Sequence, residues 1–238
     1  MTANKEWLLW LDISRDPYMN MSIDELLLLH VAEFGAPVIR IYGWDRKSVS
    51  IGYVQDYEAA PREGYAIVRR MTGGGVVFHD KDLTYTVVIP AGHPICALDR
   101  VESYHVFHRA VKAALAGFGL EAELSTAEGG AVDRATMQCF VTPTRYDVLC
   151  GGRKYAGAAQ RRTHDGILHQ GSIDLKASGG DSVILTEKLV KALEKQFEIG
   201  FIEFKVSEVF LHDAETLAGI KYSTEQWNRF KKYSPKNG

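Results

Sequence analysis

Apolar positions follow a helical spacing in some stretches of the chain and gather into short β-rich runs in others. Ile23, Leu26, Leu27, His30, Val31 and Phe34 recur at i, i+3 and i+4 intervals and predict a helix. Ser22-Ile-Asp-Glu25 has the spacing of a capping box at its start, and Gly35 and Pro37 stop it. A second helix is predicted from Asp99 to Phe118: Asp99 caps it, and Tyr104, Phe107, Val111, Leu115 and Phe118 share one face. A third runs from about Thr186 to Ile199, and shorter ones lie near Ser207–Ala218 and Thr224–Lys232. Val38–Tyr42, Ser48–Tyr53, Tyr65–Arg70, Leu83–Pro90, Arg145–Cys150, Tyr155–Gln160 and Ile167–Leu175 read as strands punctuated by Gly and Pro. Strands that follow one another without strict alternation with helices predict an α+β fold, its sheets mixed and mainly antiparallel and packed with helices.

Composition narrows the class. The 238 residues are 46% hydrophobic and 24% charged, enough for an ordinary folded core without disulfides or metals. One domain over residues 1–238 is expected, with about 200–238 as a small helical extension. The 28 basic and 30 acidic side chains leave a net charge of −2. That balance argues against nucleic-acid binding by bulk charge and against a polybasic membrane surface. The apolar run Trp7–Leu11 is too short for a signal peptide, and no stretch reaches membrane-span length, so a cytoplasmic protein is expected. Cys96, Cys139 and Cys150 form no CxxC pair and no disulfide framework, so a metal site is not expected.

Two stretches carry candidate chemistry. In Arg69-Arg-Met-Thr-Gly-Gly-Gly75, Gly73, Gly74 and Gly75 follow two arginines at the end of a strand. A turn without Cβ atoms lets backbone N–H groups approach an oxygen-rich ligand, and Arg69 and Arg70 suit a phosphate or carboxylate. The spacing matches neither a Walker A loop nor GxGxxG, and a wide hairpin turn accounts for the glycines equally well. The second stretch sets Lys154 between a glycine turn and Ala156, Gly157, Ala158 and Ala159. Small side chains leave room for an extended ligand, and a lysine at its mouth suits a carboxylate or a polarised carbonyl. The competing reading is a solvated lysine on a hairpin. His169 lies in the strand Leu168-His-Gln-Gly-Ser172 and is read either as a ligand contact or as a structural histidine.

In order, these stretches resemble the lipoate-protein ligase and octanoyltransferase family, whose catalytic fold is shared with biotin-protein ligases. The matching segments are Asn20-Met-Ser-Ile-Asp-Glu25, Pro37-Val-Ile-Arg-Ile-Tyr-Gly-Trp44, Ser50-Ile-Gly-Tyr-Val-Gln55, the arginine-glycine loop with His79-Asp80, Gly152-Arg-Lys-Tyr-Ala-Gly-Ala-Ala-Gln160 and Leu168-His-Gln-Gly-Ser172. The tail Lys221–Asn228 also resembles the end of the family's catalytic domain. The resemblance implies attachment of an octanoyl or lipoyl group to a lysine of a lipoyl-carrier domain. The acceptors it implies are lipoyl domains of 2-oxoacid dehydrogenase complexes or the glycine cleavage H protein. The loop would cover the acyl donor, Lys154 would stand against the donor carbonyl, and Gly157 and Ala158 would border the acyl tunnel.

Two branches of the family differ in donor. Gln138-Cys-Phe-Val-Thr-Pro143 resembles the Cys-Phe-x-x-Pro segment of the LipM-type octanoyltransferases, where the cysteine is the nucleophile. Leu83-Thr-Tyr-Thr-Val-Val88 also resembles that branch. On this preferred reading the donor is an acyl carrier protein, no cofactor is needed, and Cys139 forms the acyl thioester. The glycine triplet followed by Val76 is closer to the ligases that use ATP and Mg²⁺, with Cys139 a bystander. A non-catalytic acyl-binding module is the remaining alternative. His79 is the candidate base for the acceptor amine, against a structural role capping the loop.

Overall fold

The computed structural model describes residues 5–61, 63–126 and 145–233. In chain order the elements are β1 (Glu6–Leu11), α1 (Pro17–Leu29), α2 (Val31–Phe34), β2 (Val38–Tyr42), β3 (Ser48–Ile51), β4 (Ala66–Arg69), β5 (Val77–His79), β6 (Asp82–Pro90), α3 (Pro94–Ala97) and α4 (Arg100–Ala116). They continue with β7 (Ala122–Leu124), β8 (Val148–Cys150), β9 (Arg153–Arg162), β10 (Gly166–Asp174), α5 (Ser182–Phe197), β11 (Gly200–Glu203), α6 (Glu208–Leu217) and α7 (Glu225–Phe230). The expected α+β class with mixed, mainly antiparallel sheets is what the chain forms.

A large sheet runs in the order β11-β1-β2-β6-β10-β9-β8-β7, and a small one in the order β4-β3-β5. In the large sheet β1 is parallel to both β2 and β11, and every other pairing is antiparallel. Alternation along its strands sends side chains to opposite faces. One face carries Tyr85, Val87, Val148, Ala156 and Ile167 into a core against Phe107, Val111, Leu185 and Leu189 of α4 and α5. The other face carries Val38, Val88 and Leu168 against Ile23, Leu27 and Leu28 of α1 and Leu217 of α6. The small sheet has its own core of Val49, Ile51, Ile67 and Val76.

The first helix starts earlier than the capping-box spacing predicts. Asp16 caps it by accepting from the N–H groups of Tyr18 and Met19, and Pro17 occupies its first turn. Ser22 and Glu25 are therefore helix-interior, buried residues rather than a cap. The third helix likewise begins at Ser182, capped by Asp181. The predicted C-terminal helices are present, but the segment after residue 200 is not a mere extension. β11 pairs with β1, and Asn228 and Trp227 bond to the backbone of Arg69. A π-helical turn at Ala218–Tyr222 continues α6 and brings Lys221 to Glu25 of α1. No helix among the described residues is long and apolar enough to cross a membrane.

Candidate active site

The register of four strands builds one wall of a cavity. Tyr42 of β2 lies opposite Thr84 of β6, Thr84 opposite Ser172 of β10, and Ser172 opposite Gly157 of β9. All four residues line one cavity. Three strand spacings make this row about 14 Å long. Met21, Trp44, Ser50, Arg70, Val77, His79, Ala158, Ala159, Gln170 and Gly171 complete the lining. The slot thus lies between the large sheet and the small one.

Lys154 sits at the β9 end of that row. A β-bulge between Val148 and Leu149 locally shifts the register there. The Lys154 ammonium pairs with Asp147 at 2.7 Å, and both side chains are buried. A Cβ on Gly157, which lines the cavity, would lie 2.7 Å from Lys154 Nζ, so the absence of a side chain at 157 is what admits the amine beside it. The solvated-hairpin reading of Lys154 is therefore overturned by its burial.

The glycine loop packs against residues that line the slot, Arg70 and Ala159. Gly74 has φ +84°, a conformation that favours glycine, and its nearest neighbours are Arg70 and the Ala159 side chain. A Cβ on Gly52 would collide with the Gly74 carbonyl, so Gly52 permits the close approach of the loop. Gly157 and Ala159 stand two residues apart on one strand, one beneath Lys154 Nζ and the other beneath the loop. The amine and the turn are thereby brought to neighbouring points of one wall, about 7 Å apart along the strand.

Arg70 serves the loop before it serves any ligand. Its Nε and Nη2 donate to the Gly73 carbonyl, Nη2 to that of Gly75, and Nη1 to the carbonyl and hydroxyl of Ser50. All three guanidinium nitrogens are thus engaged by protein oxygens. Arg69 is placed otherwise than expected of a substrate contact. It is fully buried, does not line the cavity, and donates to the carbonyls of Gly52, Tyr53, Gln55 and Asn228. Burial lowers its pKa from the usual arginine range. Strand alternation separates the two arginines: one faces the cavity and the other the C-terminal segment.

His169 also departs from its expected role. It is fully buried, packs on Phe107 and Tyr104 of α4, and makes hydrogen bonds with Gln160 (2.9 Å) and Tyr85 (3.3 Å). Burial holds its pKa well below the usual histidine range, with nearby His108 adding to the effect. Its neighbour Gln170 faces the cavity instead. His79 does line the slot, stacked on Trp44 at 3.8 Å. Its Nδ1 lies 2.8 Å from Asp82 Oδ2 and its Nε2 2.8 Å from Ser50 Oγ. With Asp82 as acceptor, Nδ1 carries the proton and Nε2 accepts from the Ser50 hydroxyl. Both ring nitrogens are engaged, which fits the capping role better than that of a free base.

Trp44, Ser50, Asp82, Asp147 and Gln170 escaped sequence reading as site residues. The one available signal for Asp147 was a carboxylate inside an otherwise apolar strand, Asp147-Val-Leu-Cys150. Cys139 lies outside the described residues. Cys96 is half-buried and Cys150 buried, and burial raises the pKa of both thiols.

The mixed sheets, with a buried amine beside Gly157 and a glycine turn beside Ala159 on one strand of the slot, define the class in which the chain finds its relatives. The Lipoyl protein ligase A/B catalytic domain matches residues 16–207, and the chain belongs to that family. It is 39% identical over 174 residues to the octanoyltransferase LipM of Moorella thermoacetica, a match covering 70% of this chain and 64% of that protein. It is 32% identical to the octanoyltransferase LipM of Bacillus anthracis, covering 89% of this chain and 94% of the relative. Among solved structures, lipoate-protein ligase A bound with ATP superposes with a TM-score of 0.78 at 23% identity, covering 94% of this chain and 98% of that one. The bi-partite lipoate protein ligase of Thermoplasma acidophilum gives 0.75 at 22% identity, covering 97% and 99%. At that identity the likeness is one of fold.

Proposed function

We propose that this protein is an octanoyltransferase that moves an octanoyl group from an acyl carrier protein to a lysine of a lipoyl-carrier domain, through a thioester on Cys139. The observation that carries the reading is the Lys154 ammonium packed on side-chain-free Gly157 in the wall of a slot. The relatives named octanoyltransferase LipM favour the carrier-protein donor over ATP.

In the first step the Cys139 thiolate attacks the donor carbonyl, a carbon–sulfur bond forms, and the carrier thiolate leaves and takes up a proton. A cysteine of ordinary pKa is only a few per cent thiolate at neutral pH, so a nearby cation assists it. Lys154 is that cation in this reading, and with loop N–H groups it stabilises the tetrahedral oxyanion. In the second step the deprotonated acceptor lysine attacks octanoyl-Cys139. An amide forms, the Cys139 thiolate leaves, and the amine's remaining extra proton returns to it or to solvent. One thioester replaces another in the first step, and amide formation drives the second. No ATP is consumed.

The ligase reading rests on the run Gly73-Gly-Gly-Val76. There the loop and Lys154 hold the acyl-adenylate, and ATP with Mg²⁺ is required. A mass-spectrometric assay on a lipoyl domain separates the two. Octanoyl transfer from the carrier protein without ATP, together with an octanoyl adduct on the enzyme that Cys139→Ser removes, is expected. Lipoylation only with ATP and free acid, undiminished in Cys139→Ser, overturns the proposal in favour of the ligase.

A further inference from the structure

A second buried network joins the slot to the glycine loop. Asp24 of α1 is 1% exposed and its carboxylate is surrounded by donors. Oδ1 accepts from Arg40 at 2.9 Å, and Oδ2 accepts from Tyr42 (2.9 Å), Thr86 (2.7 Å) and Gln170 Nε2 (2.7 Å). Because Asp24 only accepts, the Gln170 amide is oriented with nitrogen toward it and oxygen away. That oxygen accepts from the Thr72 hydroxyl at 2.7 Å. Thr72 is fully buried and directly precedes Gly73. Gln170 itself lines the cavity.

We propose that Gln170 is a positioning residue that couples the Asp24 carboxylate to Thr72 and so holds the glycine loop in register over the cavity. The claim rests, for its effect on turnover, on the reading that this loop covers the acyl donor. The loop has other ties: Arg70 binds the Gly73 and Gly75 carbonyls, and Tyr53 N–H donates to the Thr72 carbonyl. These fix the backbone between 72 and 75. The Gln170 bond is the side-chain tie from the loop's entry residue to the large sheet. The relay has a polarity that a merely space-filling residue lacks: Gln170 must donate at one end and accept at the other.

That polarity supplies the test. In Gln170→Glu, a protonated carboxylic acid reproduces the native pattern, O–H toward Asp24 and C=O toward Thr72. An ionised one sets a second carboxylate against Asp24. The like charge and burial raise the pKa of that acid, while Arg40 behind Asp24 and Arg70 across the cavity lower it. His79 lines the same cavity, and Tyr42 shares the Asp24 carboxylate. The variant is therefore expected to approach wild-type rates at the acid end of its profile and to fall roughly tenfold or more as pH rises, chiefly in kcat. Backbone amide hydrogen exchange over 71–76, measured on the full chain, is expected to accelerate by a similar factor over the same pH range. Gln170→Met and Thr72→Val delete the relay without adding charge. Both are expected to accelerate loop exchange by roughly fivefold or more at every pH.

Unchanged loop exchange in Gln170→Met and Thr72→Val overturns the proposal. So does a Gln170→Glu variant whose loop exchange, relative to wild type, is independent of pH. If the exchange pattern holds while the wild-type protein transfers no octanoyl group, the positioning role stands and the octanoyltransferase reading fails.

Discussion

At the residue scale the site depends on where side chains are absent. Gly157 is the sharpest case, since a methyl group there would overlap the last carbon and the nitrogen of Lys154. Gly157→Ala is expected to displace the amine and cut octanoyl transfer roughly tenfold or more while the protein still folds. Steady-state rates beside a thermal melt measure this. Lys154→Ala removes the cation and its ion pair with Asp147. Transfer is expected to fall by about 10²–10³. Lys154 itself was legible as a candidate from its neighbours of small volume. Its partner Asp147 was not, because the pairing crosses a bulge whose register no local pattern encodes.

At the element scale the C-terminal segment is built into the folded core. The Lys221 ammonium lies 2.8 and 2.7 Å from the two carboxylate oxygens of Glu25, over the ring of Trp227. Tyr222 donates to the same carboxylate. Burial lowers the Lys221 pKa despite the favourable charge of Glu25. Removing one partner leaves the other charge buried, so Glu25→Ala is expected to destabilise the fold by about 3 kcal/mol in urea titration. The Arg69–Asn228 contacts fasten the strand leading into the glycine loop to the final helix. Asn228→Ala is accordingly expected to lower both stability and transfer rate. The short helix at 225–230 was legible from its spacing. Its purpose was not, since residues 69 and 228 meet only after the whole chain has folded.

At the scale of the whole molecule, two buried histidines, His108 of α4 and His169 of β10, meet between that helix and the large sheet. Burial lowers the pKa of both His108 and His169. Between the folded and unfolded values the unfolded chain binds more protons, so stability rises with pH there. Stability is therefore present above about pH 6.5 and is lost as pH falls below it. A lower melting temperature at pH 5.5 than at pH 7.5 is expected, with a smaller drop in His169→Gln. A melting temperature unchanged between those two conditions contradicts this reading.

Helices, most strands and the α+β class followed from local order alone, because periodicity and capping are properties of neighbours in sequence. Glycine and lysine motifs marked candidate positions for the same reason. Which face each strand residue took was decided by tertiary pairing. Arg69 and His169 turned away from the cavity, while their neighbours Arg70 and Gln170 entered it. A one-residue choice of face follows from sheet register, and register is set by partners distant in the chain. The union of the C-terminal segment with the core likewise waited on contacts that only the assembled sheet provides, whereas the early start of the first helix is local, set by Asp16 and Pro17 side by side in the chain.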